Sequence, residues 1–303
     1  MFLVVLRATV LASVVGCSHV VAAQQDIRQN PPSPISIDGG LRASTSLVYW
    51  RGSYQSAGFQ SFTPLELWTS TSVFADTKID VAVKSAYVHS QSKTTDLTGS
   101  VSSISDTVGH VQIAFDRWSY LQPFVTLNVN APTGTATLYG SQKNAIMDRD
   151  LVFQTRFGEG WNFNPAVGVT IPIGSNLVAS LGVGYNIRHS YVPDGDLAFL
   201  YDPGDQLIAT AGLQYLSQAW LMSVNGIFSR ETTSQLEGMD YFKPGDGYTV
   251  SAQVSHMWND RHTTSINGQY NHTRRNVSTN LLMGTFGADE KNTNSDLYVA
   301  SLA

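Results

Sequence analysis

Histidine and serine are the side chains in this sequence whose chemistry most readily supports catalysis or metal binding. The seven histidines are scattered, and none stands at the spacing of metal ligands. Ser255 and His256 are adjacent, but neighbours on a strand point to opposite faces, so they cannot act together as nucleophile and base. We therefore expect a protein that is not an enzyme, with no catalytic residue, no metal site and no cofactor.

Aspartate recurs in short phrases that are rich in turn-forming residues. These phrases are Asp194-Gly195-Asp196 and Asp202-Pro203-Gly204-Asp205, followed by Asp240 and Asp246. Carboxylates grouped in loops could bind calcium or the cations that bridge lipopolysaccharide. Asp, Pro and Gly are also the residues that turns require, and turn chemistry is the interpretation we favour.

Amides, hydroxyls and a few charges occupy alternate positions along segments that have the pattern of strands. Side chains alternate faces along a strand, so these residues share one face, which we predict to line a lumen. A weakly charged lining suits small neutral or amphipathic solutes, whereas a phosphate or sugar-acid channel would carry rings of Arg and Lys. Any water-facing barrel interior would look similar, which leaves the solute open. The predicted lumen-lining residues are Asp80, Lys84, Gln112, Asp116, Asn128, Asn130, Arg188, Gln214, Gln253, Asn267, Gln269 and Asn271.

The elements that must position these residues are strands of about ten residues. Along 163–173 the odd positions carry Phe, Pro, Val, Val, Ile and Ile, whereas the even positions of 162–170 carry polar or small residues. The stretch 177–188 repeats this alternation, which indicates one apolar and one polar face. The predicted strands are 41–51, 64–74, 78–90, 106–116, 122–131, 162–173, 177–189, 206–216, 220–229, 247–258, 262–274 and 293–303.

The connections between these segments alternate between tight and long. Segments 75–77, 117–121, 174–176, 217–219 and 259–261 are tight, whereas 91–105, 132–161, 190–205, 230–246 and 275–292 are long. Outer-membrane barrels have short periplasmic turns and longer external loops. The pattern therefore predicts an all-β fold, an antiparallel transmembrane β-barrel of about twelve strands with short periplasmic turns and long external loops.

The longest connection, Pro132–Trp161, contains an apolar and aromatic segment, Leu151–Phe157. An additional strand there would place two tight turns in succession and reverse the inside and outside of everything that follows. We therefore interpret the segment as loop structure that folds over or into the mouth of the barrel.

Aromatic residues lie beside several turns and strand ends. Tyr215 and Trp220 flank one tight turn, and Tyr248 and Trp258 stand ten residues apart on one strand. Ten residues tilted about 40° cover about 25 Å, the height of the apolar band of such barrels. We predict that these four residues belong to the aromatic girdles at the two membrane interfaces.

The composition agrees with a barrel and excludes other classes. The chain has 303 residues, of which 42% are hydrophobic, 11% aromatic and 14% charged. The charged fraction is low against roughly 25% in soluble domains. The net charge of −5 offers no basic surface to nucleic acid, so we expect no nucleic-acid partner.

The N-terminus has the features of an export signal. Arg7 precedes the mostly apolar run Ala8–Gly16 and a small-residue site at Val21-Ala22-Ala23. We predict a signal peptide at 1–23, a periplasmic lead-in rich in Gln and Pro at 24–40, and the barrel at 41–303. Cys17, the one cysteine of the chain, follows Val14-Val15-Gly16 as in a lipobox, so lipidation of Cys17 is an alternative fate of this segment.

Two phrases resemble motifs of a known family of barrels. Val129-Asn130-Ala131-Pro132-Thr133-Gly134-Thr135 closes a strand and opens a long loop, and Gly158-Glu159-Gly160-Trp161-Asn162-Phe163-Asn164-Pro165 precedes a strand and a tight turn. Together with Gly184-Tyr185-Asn186 they resemble the outer-membrane barrels named for the MetA pathway of phenol degradation. The resemblance implies a transporter-like barrel linked to aromatic catabolism or efflux, with no defined substrate and no catalytic residue.

The resulting functional hypothesis is a channel or transporter-like barrel in the outer membrane of a Gram-negative cell. It would pass small, hydrophobic or aromatic molecules. Its expected partners are the lipid bilayer with its lipopolysaccharide, a small-molecule solute and the outer-membrane assembly machinery, although the chain ends in Ala303 rather than in the usual terminal aromatic residue. The alternative is an exported β-rich binding or structural protein without a conducting lumen.

Overall fold

The protein was studied as a computed structural model, which describes residues 4–10, 35–51, 56–73, 76–94, 96–118, 120–147, 156–259, 262–280, 285–288 and 295–302. The structure is all-β, and its strands pair antiparallel throughout these ranges. Two compact units divide the chain. Unit 1 consists of Met1–Val111, Asn128–Trp161 and Tyr191–Leu200, and unit 2 consists of Gln112–Leu127, Asn162–Ser190 and Tyr201–Ala303.

The strands of unit 1 belong to a 15-stranded sheet, and two of them, β4 and β5, are 17 residues long. The strands β7 and β8 contribute residues to both units. The bounds are β1 Val4–Val10, β2 Ile35–Ala43, β3 Thr45–Arg51, β4 Ala57–Val73, β5 Thr77–Lys93, β6 Thr98–Ile104, β7 Thr107–Phe115 and β8 Gln122–Ala131.

Unit 2 contains the remaining strands of this sheet and a second, five-stranded sheet. The bounds are β9 Asn162–Ile173, β10 Leu177–Arg188, β11 Tyr201–Asp202, β12 Gln206–Leu216, β13 Trp220–Glu231, β14 Ser234–Leu236, β15 Met239–Lys243, β16 Gly247–Asn259, β17 His262–Thr273, β18 Val277–Asn280, β19 Thr285–Ala288 and β20 Ser295–Leu302.

The hydrogen-bonding order follows the chain. The large sheet runs β1-β3-β4-β5-β7-β8-β9-β10-β12-β13-β16-β17-β20, with β2 also paired to β4 and β6 to β5. Each of the twelve predicted segments overlaps a strand of this sheet. Closure of the sheet into a barrel stays a prediction.

The structure differs from the predicted strands at several connections. The predicted long connection 91–105 contains β6, which pairs with the end of β5. The long connections of unit 2 contain β11, β14, β15, β18 and β19, which form the five-stranded sheet. Long connections of this protein therefore carry hydrogen-bonded structure of their own.

The strand predicted at 64–74 begins earlier, at Ala57. It continues through Pro64, which lies where β4 changes partner on one side, between β3, paired up to Phe62, and β2, paired from Leu65. Proline lacks an N–H and is tolerated where a ladder is interrupted, so it does not end the strand here.

The N-terminal predictions overlap two described strands. β1 lies inside the segment predicted as a signal peptide and pairs with β3, and β2 begins at Ile35, inside the predicted lead-in. Removal of residues 1–23 stays a prediction, as does lipidation of Cys17, which lies outside the described residues.

The tight turn between β9 and β10 illustrates how sequence sets the local fold. Gly174 has φ of +69°, a left-handed conformation that glycine adopts without steric cost. The turn places Ile173 opposite Leu177 and Gly168 opposite Gly182, which keeps apolar residues paired with apolar residues and small residues with small residues across the hairpin.

Candidate functional site

Polar side chains meet on one face of unit 2, here named the polar face. The register brings Gln253 opposite Asn267 and Gln269 opposite Ser251. Across the same pair of strands, the Thr249 hydroxyl donates to the Asn271 side-chain carbonyl at 2.8 Å, and within β17 the Gln269 amide donates to the same oxygen at 2.9 Å. Four predicted lumen-lining residues therefore lie together on β16 and β17.

An open pocket of about 250 Å³ lies over this polar face. Its polar lining consists of amides and hydroxyls: Ser223, Asn225, Ser251, Gln253, Asn267 and Gln269. Such a lining can donate and accept hydrogen bonds without imposing a charge, so it suits an uncharged solute.

The other predicted residues of unit 2 are distributed along its strands. Gln214 lies opposite Ser223, and Gln112 accepts a hydrogen bond from the Thr126 hydroxyl at 3.4 Å. The Arg188 guanidinium donates to Glu231 and to the Gly204 carbonyl. Arg188 is thus neutralised by an adjacent carboxylate rather than presented as an isolated charge, and Asp116 lies exposed beyond the end of β7.

The polar face of unit 1 carries a row of alternating charges. Glu66 lies between Arg42, at 3.6 Å, and Lys84, at 3.3 Å, because the register aligns these residues across β2, β4 and β5. The Arg42 guanidinium also lies 4.7 Å from the centroid of the Trp68 ring. Asp80, on the same face of β5, forms an ion pair with Lys78 at 3.4 Å.

Sequence reasoning identified Lys84 and Asp80 but missed Arg42 and Glu66. The alternation of polar and apolar positions along the strand is the sequence signal that could have identified them. Arg42 and Glu66 stand on the polar positions of the first two predicted strands, whose lumen positions were not enumerated.

Asp106 joins the two phrases that resemble the barrel family. Its carboxylate accepts hydrogen bonds from the backbone N–H of Gly134 at 2.9 Å, from the N–H of Glu159 at 2.7 Å, and from the Asn130 amide at 2.7 Å. The Asn130 amide also donates to the Gly160 carbonyl. The predicted lumen residue Asn130 is therefore an anchor for the loop, and no sequence signal pointed to Asp106.

Glycine is required at this junction because two backbones approach closely. A Cβ at position 134 would lie 2.0 Å from the Phe157 carbonyl oxygen. The side-chain carbonyl oxygen of Asn128, the other predicted residue of this region, accepts a hydrogen bond from the His110 ring at 2.8 Å.

Residues 132–147 and 156–161, here named the packed loop, lie against the face of unit 1 opposite its exposed apolar side chains. Leu138, Ala145 and Phe157 are buried in one cluster with Val88 and Val101 of the sheet. A 3₁₀ helix, Gly140–Ala145, ends there, and the Ser90 hydroxyl donates to the Ala145 carbonyl at 3.0 Å.

The sequence hypothesis that this connection folds over or into the mouth of a barrel stays a prediction, because closure of the sheet is itself a prediction. The segment that prompted it, Leu151–Phe157, lies outside the described residues up to Thr155, and Arg156 and Phe157 are not in a strand. Phe157 is 2% exposed, and the Met147 sulfur atom accepts a hydrogen bond from the Trp50 indole N–H at 3.1 Å.

An ionic cluster ties the packed loop to the connection that follows β10. Lys143 Nζ lies 2.9 Å from Asp194 Oδ2 and 2.9 Å from Asp196 Oδ2. These contacts lower the pKa of both carboxyl groups and raise the pKa of Lys143, because each charged form is stabilised by hydrogen bonds to its partner. We name Lys143, Asp194 and Asp196 the latch.

Backbone hydrogen bonds reinforce the latch. The Leu138 N–H donates to the Pro193 carbonyl at 3.0 Å, and the Gly195 N–H donates to the Leu138 carbonyl at 2.9 Å. The Asp194-Gly195-Asp196 phrase therefore serves a turn and an ion pair. Within the described ranges, no group of three or more His, Cys, Asp or Glu side chains could hold a metal ion.

Two rows of aromatic side chains lie on the opposite, apolar face of unit 2. Trp220, His256 and Trp258 form one row, with ring centroids 4.2 and 4.4 Å apart. Phe228 and Tyr248 belong to the other, 5.3 Å apart. The register pairs Trp220 with His256 and Phe228 with Tyr248, so eight residues of strand, or about 20 Å at a 40° tilt, separate the rows.

Exposed apolar side chains fill the space between these rows. Met222, Val224, Val250 and Val254 are 39 to 52% exposed. All four predicted girdle residues lie on this face, with Tyr215 and Trp220 at the tight-turn end and Tyr248 at the other end of β16 from Trp258.

Ser255 and His256 lie on opposite faces, as strand geometry requires. The Ser255 hydroxyl hydrogen-bonds with Ser265 on the polar face at 2.8 Å, whereas the His256 ring packs between Trp220 and Trp258. Among the residues that the structure describes, no helix is long and apolar enough to cross a membrane.

Comparisons with known proteins bear on the fold. No family model matches the sequence, and no curated protein is similar to it. The structure is similar to the crystal structure of an outer membrane channel from Pseudomonas putida F1, with a TM-score of 0.56 and 11% sequence identity over 91% of this chain and 98% of the other. The likeness shows the fold of an outer-membrane channel, and the name of the phenol-degradation family stays a prediction.

Proposed function

We propose that the protein is an outer-membrane channel of a Gram-negative cell whose sheet closes into a β-barrel and whose polar face lines the path of a small molecule. The observation that carries the proposal is the two-faced sheet of unit 2. One face has exposed aliphatic side chains between two aromatic rows, and the other has hydrogen-bonded amides and hydroxyls. A bilayer on one side and water on the other require this arrangement.

The lining and the family resemblance support the proposed class of solute. The pocket over β16 and β17 carries amides and hydroxyls without a charge, which favours uncharged solutes. The resemblance to barrels of phenol degradation favours small hydrophobic or aromatic molecules among them. The packed loop, tied down by Asp106 and the latch, would be the element that limits passage.

The membrane part of the proposal is tested by fractionation. The expressed chain should stay in the sarkosyl-insoluble envelope and should migrate differently on gels before and after boiling. Release with the periplasmic fraction would instead support an exported binding or structural protein.

The channel part is tested in liposomes. Purified protein should permit swelling with small neutral aromatic solutes faster than with charged solutes of similar size. A variant without 141–155 should pass both faster. Heat-modifiable protein that conducts in neither form would contradict the channel and leave a membrane protein of another function.

A further inference from the structure

A pair of arginines lies on the apolar face of unit 2, two positions along their strands beyond an aromatic row. Arg230 follows Phe228 by two positions on β13, and Arg274 follows His272 by two positions at the end of β17. The Arg230 guanidinium lies 5.9 Å from the Phe228 ring centroid, and the Arg274 guanidinium lies 5.4 Å from that of Tyr248. Both arginines therefore share the face of the exposed aliphatic residues.

One carboxylate is shared between the two arginines. Arg230 donates to both oxygens of Asp246, at 3.0 and 2.9 Å, and Arg274 Nη1 lies 3.6 Å from Oδ2. Two cations and one anion leave a net positive charge. The side chains of Arg230 and Arg274 are 57 and 61% exposed, whereas that of Asp246 is 13% exposed, so the exposed part of the cluster is cationic.

The position of this cluster along the strands indicates the class of ligand that it can bind. An aromatic row marks the level of the lipid headgroups. A position two residues past that row is about 7 Å further along the strand. A guanidinium offers five N–H donors, of which Arg230 directs two to Asp246, and its fork matches phosphate. Both arginines adjoin long connections, which the proposed function places outside the cell.

We propose that Arg230 and Arg274 form a binding site for the phosphate headgroup of lipid A, the phosphorylated glycolipid of the outer leaflet. Asp246 orients the two guanidinium groups, and the Phe228 and Tyr248 rings contact the lipid beneath them. The site rests on the proposed function, because it requires the long connections to face the outer leaflet. It adds a lipid to a surface that the channel itself does not use for transport.

The test measures lipid A binding to the purified full chain in detergent micelles by native mass spectrometry. Replacing both arginines, as Arg230→Ala with Arg274→Ala, should weaken binding of bisphosphorylated lipid A by about tenfold or more, since each loses charge-assisted hydrogen bonds. Arg51→Ala is the matched control, because Arg51 is exposed on the apolar face at the end of β3. It should leave binding unchanged.

A second variant separates binding from structure. Asp246→Asn removes the negative charge, keeps both arginines and retains an Oδ1 acceptor that can still orient Arg230, so it should retain or tighten lipid A binding. If the arginines only hold the connection in place through Asp246, this variant should weaken binding as much as the double replacement, and that result would overturn the proposal.

The source of the phosphate is tested with three probes: bisphosphorylated lipid A, dephosphorylated lipid A and inorganic phosphate. Arginine-dependent binding should be seen with the first and lost with the second. Binding of inorganic phosphate without binding of lipid A would overturn the lipid assignment. Swelling assays on the same preparations keep the two proposals apart, because a channel that conducts without arginine-dependent lipid A binding contradicts this site alone.

Discussion

Unit 1 and unit 2 have strands with the same alternation, but their polar faces differ in charge and in what covers them. In unit 1 the face carries the row Arg42, Glu66 and Lys84, and the packed loop buries its other part. In unit 2 the face over β16 and β17 carries amides and hydroxyls beside an open pocket. Identical periodicity can therefore support a filled, charged surface or an open, neutral one.

The largest expected effect is on the filled face of unit 1. Asp106→Ala removes three hydrogen bonds to a carboxylate, two of them from backbone N–H groups of the packed loop. We expect a loss of about 3–5 kcal/mol in the free energy of unfolding and a faster liposome swelling rate. Asp106→Asn keeps one acceptor oxygen and should be milder. Unchanged swelling with properly folded Asp106→Ala would show that the loop does not restrict passage.

The apolar face of unit 2 should be the next most sensitive. Val250→Arg places a charge between the aromatic rows, where a lipid-facing arginine costs about 2–4 kcal/mol. Ser251→Arg is the matched control, because it introduces the same side chain beside the open pocket on the polar face. Folding yields into liposomes should be lower for the Val250 variant. Equal yields would mean that the assignment of faces is wrong.

Val183 and Gly182 offer a less clean version of this experiment. Val183 is 46% exposed on the apolar face, and Val183→Arg should again reduce the folding yield. A Cβ at position 182 would lie 2.9 Å from the Thr210 hydroxyl, so Gly182→Arg adds steric strain to its change of charge. The pair 250 and 251 therefore isolates the effect of the lipid better.

The latch should produce a moderate effect that depends on pH. The pKa values of Asp194 and Asp196 are lowered below 3.8 in the folded protein. The stabilisation that their ion pairs give to the packed loop is therefore complete above pH 3.8, and it is lost as the pH falls through the pKa values of the folded state. The pKa of Lys143 is raised above 10.5, so its contribution is lost only in strong alkali. Swelling should therefore be constant near neutrality and accelerate below about pH 4.

Lys143→Ala provides the control for this pH dependence. It should give moderately faster swelling at pH 7 and a smaller further increase in acid, because the ion pairs are already absent. An acid response of equal size in the wild type and the variant would assign the effect to other groups.

The smallest effect is expected on ion preference. Glu66→Gln leaves Arg42 and Lys84 without their shared carboxylate and should shift the reversal potential toward anions, whereas Lys84→Glu should shift it toward cations. Both shifts should be small at physiological salt, where charges are screened over about 8 Å. The matched substitution Ser251→Glu in the neutral face tests whether unit 2 contributes to selectivity equally.

The strands were predictable to a large extent because their period is local. An apolar residue at every second position identifies a two-faced strand without knowledge of its neighbours, and every predicted segment overlaps a strand of the large sheet. The early start of β4, at Ala57 instead of residue 64, was not predicted. The register beside Pro64, which only the paired strands define, explains its tolerance.

The site was predictable only in part. The positions of Gln253, Asn267, Gln269 and Asn271 on one face follow from parity, but their hydrogen bonds depend on the register of β16 and β17. The neutralisation of Arg188 by Glu231 joins residues 43 positions apart. Asp106 had no signal at all, because an aspartate near a strand start is an ordinary turn residue.

The sequence by itself determined the all-β class, the alternation of faces and the tight turns. These properties depend on residues within one or two strand lengths of each other. Only the tertiary structure decided which charges neutralise each other, how the two glycine-containing phrases meet at Asp106, and where Arg230 and Arg274 converge on Asp246. The physical reason is that a carboxylate is satisfied by whichever donors the strand register brings within about 3 Å, and register is a property of the whole sheet.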